Sequence, residues 1–554
     1  MHGKHGMQQE KNRYILLLST WLRLNYCKAF FLLCLLFFAN AHASESWQVE
    51  SSRSLEQLLK SNPEVLQGVD ESVILDFYRA RKYKLLWSVE KGRLDRAYDL
   101  LYVLIRAGEE GLEPSDYHVD EIKKYWESTG VNETVQLELL LSSALYLYSN
   151  HVYAGRFKSS ELDADWYIQN ILPDSQRLFA DVAGKSDIAQ ILKELLPKHS
   201  GYELLKDQLH DYLDIANRGG WKRFNWGPTL ELGVQHKQVV QLRQRLQMSG
   251  DLVDDFFKGD HVYDRWLERA VVSFQKRHGL EADGRVGPQT RRYLNITVDE
   301  KIKQIRINME RWRWLPRKLR KKYLMVNMTG FELYLIENDS VLLTMPVIIG
   351  KSYRSTPTFS GLLSTMEYNP YWTIPKKIVH EDIIPHQQRD PSYMSKRSIR
   401  IFNGWTDAQE IDPKAVNWKE LDIERFPYWL RQDPGPENAL GRVKFLFSNP
   451  YAIYLHGTPD TYLFDRVVRT FSSGCIRVRD PVRLASYLLN DGSQQMEEEV
   501  LANIHLGTNQ KLILPIAIPI YLVYWTAWVD QDGMMNFRDD IYGRDTLLNN
   551  AFGG

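Results

Sequence analysis

The stretch YLMVNMTGFELYLIENDSVLLTMPVII, Tyr323–Ile349, decides the fold. It reads as three short β-type segments, Tyr323 to Met328, Glu332 to Ile336 and Val341 to Ile349, with Asn338-Asp339 between the last two. Asn and Asp tolerate the positive φ that a two-residue hairpin turn demands, so the pattern predicts paired strands rather than helix. Further apolar runs at Val443–Phe447, Ala452–Leu455 and Ile513–Val529 add strands. One helix is expected over Pro481–Leu489, with Asp480 as N-cap, Pro481 in the first turn and Gly492 beyond the end. Residues 322–530 therefore read as a β-rich, sandwich-like domain.

Within that domain, 374–439 interrupts the strands with Pro, Arg, Lys and the scattered Trp405, Trp418 and Trp429. An insertion of this length is too long for a plain connection. It reads either as a lid over a site or as a surface subdomain with no part in substrate handling; its position just before the chemistry favours the lid.

Upstream the period is helical. Leu137, Leu141, Leu145 and Tyr148 recur on one helix face, and 44–228 reads as an α-helical scaffold domain without a nucleophile or paired-acid constellation. Residues 229–297 read as a small helical unit, in which Val271-Val272-Ser273-Phe274-Gln275-Lys276-Arg277-His278-Gly279-Leu280 precedes Asp283-Gly284-Arg285-Val286-Gly287-Pro288-Gln289-Thr290. This run resembles the peptidoglycan-binding domain, a three-helix module found beside many wall enzymes. The resemblance leaves open whether this copy binds glycan or is a spacer, since fold does not fix function. Residues 298–321 read as a linker and 531–554 as a C-terminal extension. The whole is a multidomain α+β chain.

The 554 residues hold 70 basic and 70 acidic side chains, 25% charged and 44% apolar, which is ordinary for folded protein. No nucleic-acid partner is indicated. At the start, Lys28 precedes apolar Ala29 to Phe38 and then Ala41-His42-Ala43, the layout of a signal peptide over 1–43. Ten apolar residues are too few to cross a bilayer; an uncleaved anchor is the competing reading, because Tyr14 to Trp21 adds apolar length. Either way the bulk of the chain is expected outside the cytoplasm. Cleavage after Ala43 discards Cys27 and Cys34 and leaves Cys475 as the one cysteine. A lone exported cysteine forms no internal disulfide, so it is inert packing or a reactive thiol.

Cys475 lies 19 residues after His456. A thiol is a poor nucleophile until it loses its proton, and a histidine can take that proton. Strand ends at one sheet edge would let the two meet. Ser473-Gly474-Cys475 offers successive backbone N–H groups for the oxyanion of a tetrahedral intermediate, and the pairing points to acyl transfer. His380-Glu381-Asp382-Ile383-Ile384-Pro385-His386 lacks the spacing of a helical zinc pair and contains a helix-breaking proline.

Tyr454-Leu455-His456-Gly457-Thr458-Pro459, followed by Ser472-Ser473-Gly474-Cys475-Ile476-Arg477, resembles the signature of the L,D-transpeptidase (YkuD) family, with Ser473 where most members carry histidine. Similarity through Glu310-Arg311-Trp312-Arg313-Trp314-Leu315-Pro316 and Asn438-Ala439-Leu440-Gly441-Arg442-Val443-Lys444-Phe445 extends it to the large YcbB-type enzymes of Gram-negative bacteria, where Ser-Ser-Gly-Cys is the usual form. The resemblance implies a periplasmic enzyme of peptidoglycan biosynthesis and cell-wall organisation, acting on cell shape. It would need no metal or cofactor. Its partners would be peptidoglycan stem peptides and glycan, carbapenem-type β-lactams as covalent inhibitors, and other wall-synthesis enzymes.

It further implies that Cys475 attacks a tetrapeptide stem, expels D-alanine and forms a thioester, which a second stem resolves as a 3→3 crosslink. Water or a lipoprotein lysine are alternative acceptors, and a non-catalytic wall-binding scaffold is the alternative of another class. His456 would serve as base and acid, a duty suited to a group titrating near neutrality. The Gly457 carbonyl would orient it, and the N–H groups of Gly474 and Cys475 would form the oxyanion hole. Ser473 falls with the substrate-binding positions. Arg477 either holds a substrate carboxylate or forms a structural salt bridge. Tyr454, on the face of His456, either reaches substrate or packs with a solvated hydroxyl. Trp372 resembles a pocket-lining position or is core.

Overall fold

Asn338 and Asp339 take φ of 49° and 62° and turn the chain between two strands. The computed structural model describes residues 45–553 apart from 62, 169–170, 186, 254–259, 405–408 and 419–425. The expected leader, 1–43, and Trp405 lie outside the described residues.

The strands of the main sheet are β1 (Lys322–Asn327), β2 (Glu332–Glu337), β3 (Ser340–Gly350), β4 (Phe359–Tyr368), β5 (Val443–Phe447), β6 (Leu455–His456), β7 (Thr470–Ser472), β8 (Ile476–Val478) and β9 (Gln510–Val523). They run in the order β7-β3-β8-β6-β5-β4-β9-β1-β2, and β2 also pairs with β3. The expected sandwich is thus one sheet that closes on itself around a shared core. Alternation sends Leu324, Leu333, Phe445, Leu455 and Ile476 into that core, each fully buried. The helix Pro481–Leu489 forms as expected, with the Asp480 side chain accepting from the Arg483 N–H. A second helix, Gln494–His505, follows it.

The insertion is the connection between antiparallel β4 and β5, whose ends pair Tyr368 with Val443. It holds its own core, including Ile374, Ile383, Met394, Ile401, Trp418 and Leu430. Its small sheet pairs Trp372–Thr373, Trp429–Gln432, Ile399–Asn403 and Gln409–Ile411 in that order. Pro385 breaks no helix here: it sits in the first turn of Ile384–Arg389, after a π-turn over Val379–Ile383, where its missing N–H costs nothing.

Three expectations need correction. Residues 298–321 are not a linker, since Val298–Arg313 is a helix opened by a Thr297/Glu300 capping box and buried along most of its length. Its charged residues are paired: Arg311 meets Asp545 at 2.5 Å and Arg313 meets Glu310 at 2.9 Å. The helical domain does not own all of 44–228. Among the described residues one compact unit takes 45–108, Leu112–Tyr153 and Leu172–Leu196, whereas the helix Ser200–Asn217 places Tyr202, Leu205 and Leu209 in the core of the β domain. Residues 531–554 are not an extension to the catalytic domain but part of it, because Met535, Phe537 and Leu548 are buried in that same core.

The first unit is helical apart from a two-residue hairpin, Ser88–Val89 with Gly92–Arg93, and packs around Val131–Ala154. Within the second unit, the three helices Gln238–Met248, Arg265–Arg277 and Pro288–Leu294 enclose a separate small core. There Gln275 donates to Asp283 and to the Arg285 carbonyl and accepts from the Gly284 N–H. Those motif residues serve the turn itself. No helix among the described residues is long and apolar enough to cross a membrane.

Candidate active site

Two neighbouring strands inside the sheet, not at its edge, carry the pair at their ends: His456 closes β6 and Cys475 immediately precedes β8. β6 and β8 are parallel, with Leu455 opposite Ile476 and His456 opposite Arg477. Since Leu455 and Ile476 point into the core, the alternating residues Tyr454, His456, Cys475 and Arg477 share the other face. Cys475 precedes β8 at the level of Tyr454, whose carbonyl accepts the Ile476 N–H at 3.2 Å.

His456 is 5% exposed, and its Nδ1 lies 2.6 Å from the Gly457 carbonyl oxygen. A carbonyl can only accept, so Nδ1 carries the proton and Nε2 is the free acceptor. Gly441 guards this arrangement: at φ +64° it packs so closely that a Cβ there would lie 2.6 Å from the Gly457 carbonyl carbon. Burial foremost, then the Arg477 charge, holds the imidazole down to about 3 despite the opposing Gly457 hydrogen bond. The expectation of a group titrating near neutrality is therefore not met.

The Cys475 thiol points to the Ala452 carbonyl at 3.7 Å and is partly exposed. Burial pushes its pKa up, against hydrogen bonds from Tyr454 and the charges of Lys444 and Arg477. The Tyr454 phenol touches both Cys475 and Trp372, and burial raises its own pKa well above the usual range. Trp372 thus meets the Tyr454 phenol and packs against the insertion core.

Gly474 takes φ +115°, a region that a side chain disfavours, and Thr356 Oγ1 donates to its carbonyl at 2.8 Å. Its N–H donates to Ser472 Oγ at 3.2 Å, so of the two expected oxyanion donors it is already engaged. The Cys475 N–H has no acceptor among the described residues. Ser473 Oγ accepts from Arg354 at 2.7 Å. Arg477 pairs with Asp460 at 3.2 Å, the salt-bridge arrangement.

Three family models and a curated relative match this chain. The family model "L,D-transpeptidase catalytic domain" matches residues 321–508, "Putative peptidoglycan binding domain" matches 235–294 and "Scaffold domain" matches 72–209. A curated relative from Haemophilus influenzae, named "Putative L,D-transpeptidase", is 33% identical over 419 residues, covering 73% of this chain and 78% of its own length. This chain belongs to the L,D-transpeptidase family. Solved L,D-transpeptidases also overlap it. One from Xylanimonas cellulosilytica does so at 16% identity, 54% of this chain, 99% of its own and a TM-score of 0.18. One from Stackebrandtia nassauensis does so at 13%, 53%, 94% and 0.21. Overlaps at such scores add nothing to the assignment.

Two residues of this L,D-transpeptidase site escaped the sequence reading. Lys444 pairs across the sheet with His456, and its ammonium lies 4.2 Å from the centre of the Tyr454 ring. Arg354, following β3, reaches Asp382 at 2.8 Å and also Glu381, both in the insertion, besides Ser473 in the nucleophile loop. The signal for Lys444 was period-2 alternation in Val443–Phe447, which sets it on the face opposite Val443 and Phe445. Arg354 has no local signal.

Proposed function

We propose that this enzyme forms 3→3 peptidoglycan crosslinks through a thioester on Cys475. The observation that carries the reading is the shared outer face of β6 and β8, on which both His456, with Nδ1 bonded to the Gly457 carbonyl, and Cys475 lie. In this reading Nε2 accepts the thiol proton as the sulfur attacks the diaminopimelate carbonyl of a tetrapeptide stem. The tetrahedral oxyanion is held by the Cys475 N–H and by the Gly474 N–H once Ser472 releases it. Collapse forms the thioester and expels D-alanine, its nitrogen taking the proton from the imidazolium. The side-chain amine of a second stem then attacks, gives its proton to His456 and frees the thiol as the new amide forms.

The insertion would exclude water so that the amine outcompetes hydrolysis. Arg354 would keep it over the nucleophile loop. The three-helix module would hold the enzyme on the wall. The signal-like leader supports an extracytoplasmic place of action.

Purified protein is incubated with tetrapeptide muropeptides and the products weighed by mass spectrometry. Crosslinked dimers with loss of D-alanine are expected, together with a stoichiometric carbapenem adduct, and both vanish in Cys475→Ala. Trimmed tripeptides alone would make the protein a carboxypeptidase. Turnover that survives Cys475→Ala would overturn the reading.

A further inference from the structure

Lys444 is the cation of this site that has no work assigned to it. Across the outer face of the sheet, strand pairing sets side by side Arg477 from β8, His456 from β6, Lys444 from β5, Glu367 from β4 and Lys511 from β9. Arg477 is occupied by Asp460 at 3.2 Å. Glu367 accepts a hydrogen bond from Asn509 at 2.7 Å. Lys511 is exposed. Lys444 is half-buried and forms no ion pair among the described residues; its ammonium rests over the Tyr454 ring.

An ammonium held on an aromatic face at the side of a groove keeps most of its donor capacity for an incoming group. Withdrawing it from bulk water is unfavourable, the facing Glu367 offsets only part of that, and a ligand carboxylate would offset more. The same Tyr454 ring that carries Lys444 touches the Cys475 thiol. An anion bound by Lys444 therefore belongs to the molecule that Cys475 attacks.

Resting on the function proposed above, we infer that Lys444 is the anchor for a carboxylate of the donor stem peptide, fixing which carbonyl is presented to Cys475. It acts chiefly by binding substrate, beside the smaller help that its charge gives the Cys475 thiolate against burial. A stem offers several carboxylates, and amidating them one at a time identifies the one that is held.

The test separates this from the transpeptidase reading by measuring binding as well as turnover. Stem tetrapeptides, free or singly amidated, are titrated calorimetrically into Cys475→Ala enzyme with and without Lys444→Met, and Tm is recorded for every variant. Lys444→Met should weaken the free-acid stem by about tenfold or more, the scale of a charge-assisted hydrogen bond. A stem amidated at the anchored carboxyl should bind both proteins equally, and Lys444→Arg should restore most of the affinity.

With active Cys475, Lys444→Met should raise the donor KM by more than it slows alkylation by neutral iodoacetamide, which should fall by less than about fivefold. Equal losses on every stem, or no loss at all, would overturn the anchor. Alkylation slowed about tenfold would overturn it too, by making Lys444 a support for the thiolate. A Lys444-dependent binding difference in a protein that makes no crosslinks would keep the anchor and sink the transpeptidase reading alone.

Discussion

His456 is a weak base by construction. Burial and the facing Arg477 hold it down to about 3, while burial holds the Cys475 thiol up. At neutral pH the resting pair is thus a neutral imidazole and a neutral thiol, and the proton moves only as the sulfur attacks. Iodoacetamide alkylation of Cys475 should therefore climb continuously from pH 6 to pH 9, with no plateau; a plateau reached by pH 5 would mean a preformed ion pair and refute this. Stability follows the same group. Its folded pKa lies below the unfolded value of about 6.5, so the unfolded chain binds more protons between the two. The contribution is complete above about 6.5 and drains away as pH falls toward about 3. Denaturant melts at pH 7 and 4.5 should show His456→Gln losing less stability on acidification than wild type, by on the order of 2 kcal/mol.

At the scale of elements, the site is a meeting of two loops and an insertion around one arginine. Arg354 is 9% exposed and joins Glu381 and Asp382 of the insertion to Ser473 of the nucleophile loop. Removing one side of a buried charge cluster costs more than the cluster contributes. Here both carboxylates are part-exposed, so the loss should fall on positioning more than on global stability. Arg354→Gln is expected to speed hydrogen exchange over Lys376–Arg389 and to slow acylation several-fold while Tm moves by only a few degrees; unchanged exchange there would break the link. Such couplings explain what the sequence could and could not disclose. The hairpin at Asn338-Asp339 and the helix at Pro481 were legible because each is written in consecutive residues. The strand Phe359–Tyr368 was missed because Ser360, Gly361 and Ser364 blur its alternation. The helix Val298–Arg313 read as a linker because Lys301, Glu310, Arg311 and Arg313 look solvent-facing until their distant partners are known. Lys444 and Arg354 gain meaning only across strands.

In the β-containing unit as a whole, the three-helix module is fastened by a buried seam to the two-stranded hairpin Ala527–Val529 with Met535–Phe537, which shares the core of the catalytic sheet. Arg277 holds Asp251 with two 2.5 Å hydrogen bonds inside the module and donates to the Met535 carbonyl at 3.2 Å. Arg538 returns a bond to the Arg277 carbonyl at 2.8 Å, and the Lys301 ammonium lies 3.8 Å from the centre of the Phe537 ring. Two arginines, a lysine and the buried His278 thus crowd a seam in which Asp251, with no exposed side-chain surface, is the carboxylate bonded to Arg277. Asp251→Asn keeps the shape and removes that charge, stranding Arg277 at a cost of about 3–5 kcal/mol. If the seam makes module and sheet one cooperative body, calorimetry should show a single transition displaced downward by roughly 5–15 °C, with carbapenem acylation lost along the same curve. A module merely tethered to the enzyme would instead melt early by itself, and a second transition, carrying acylation, would stay where the wild type has it.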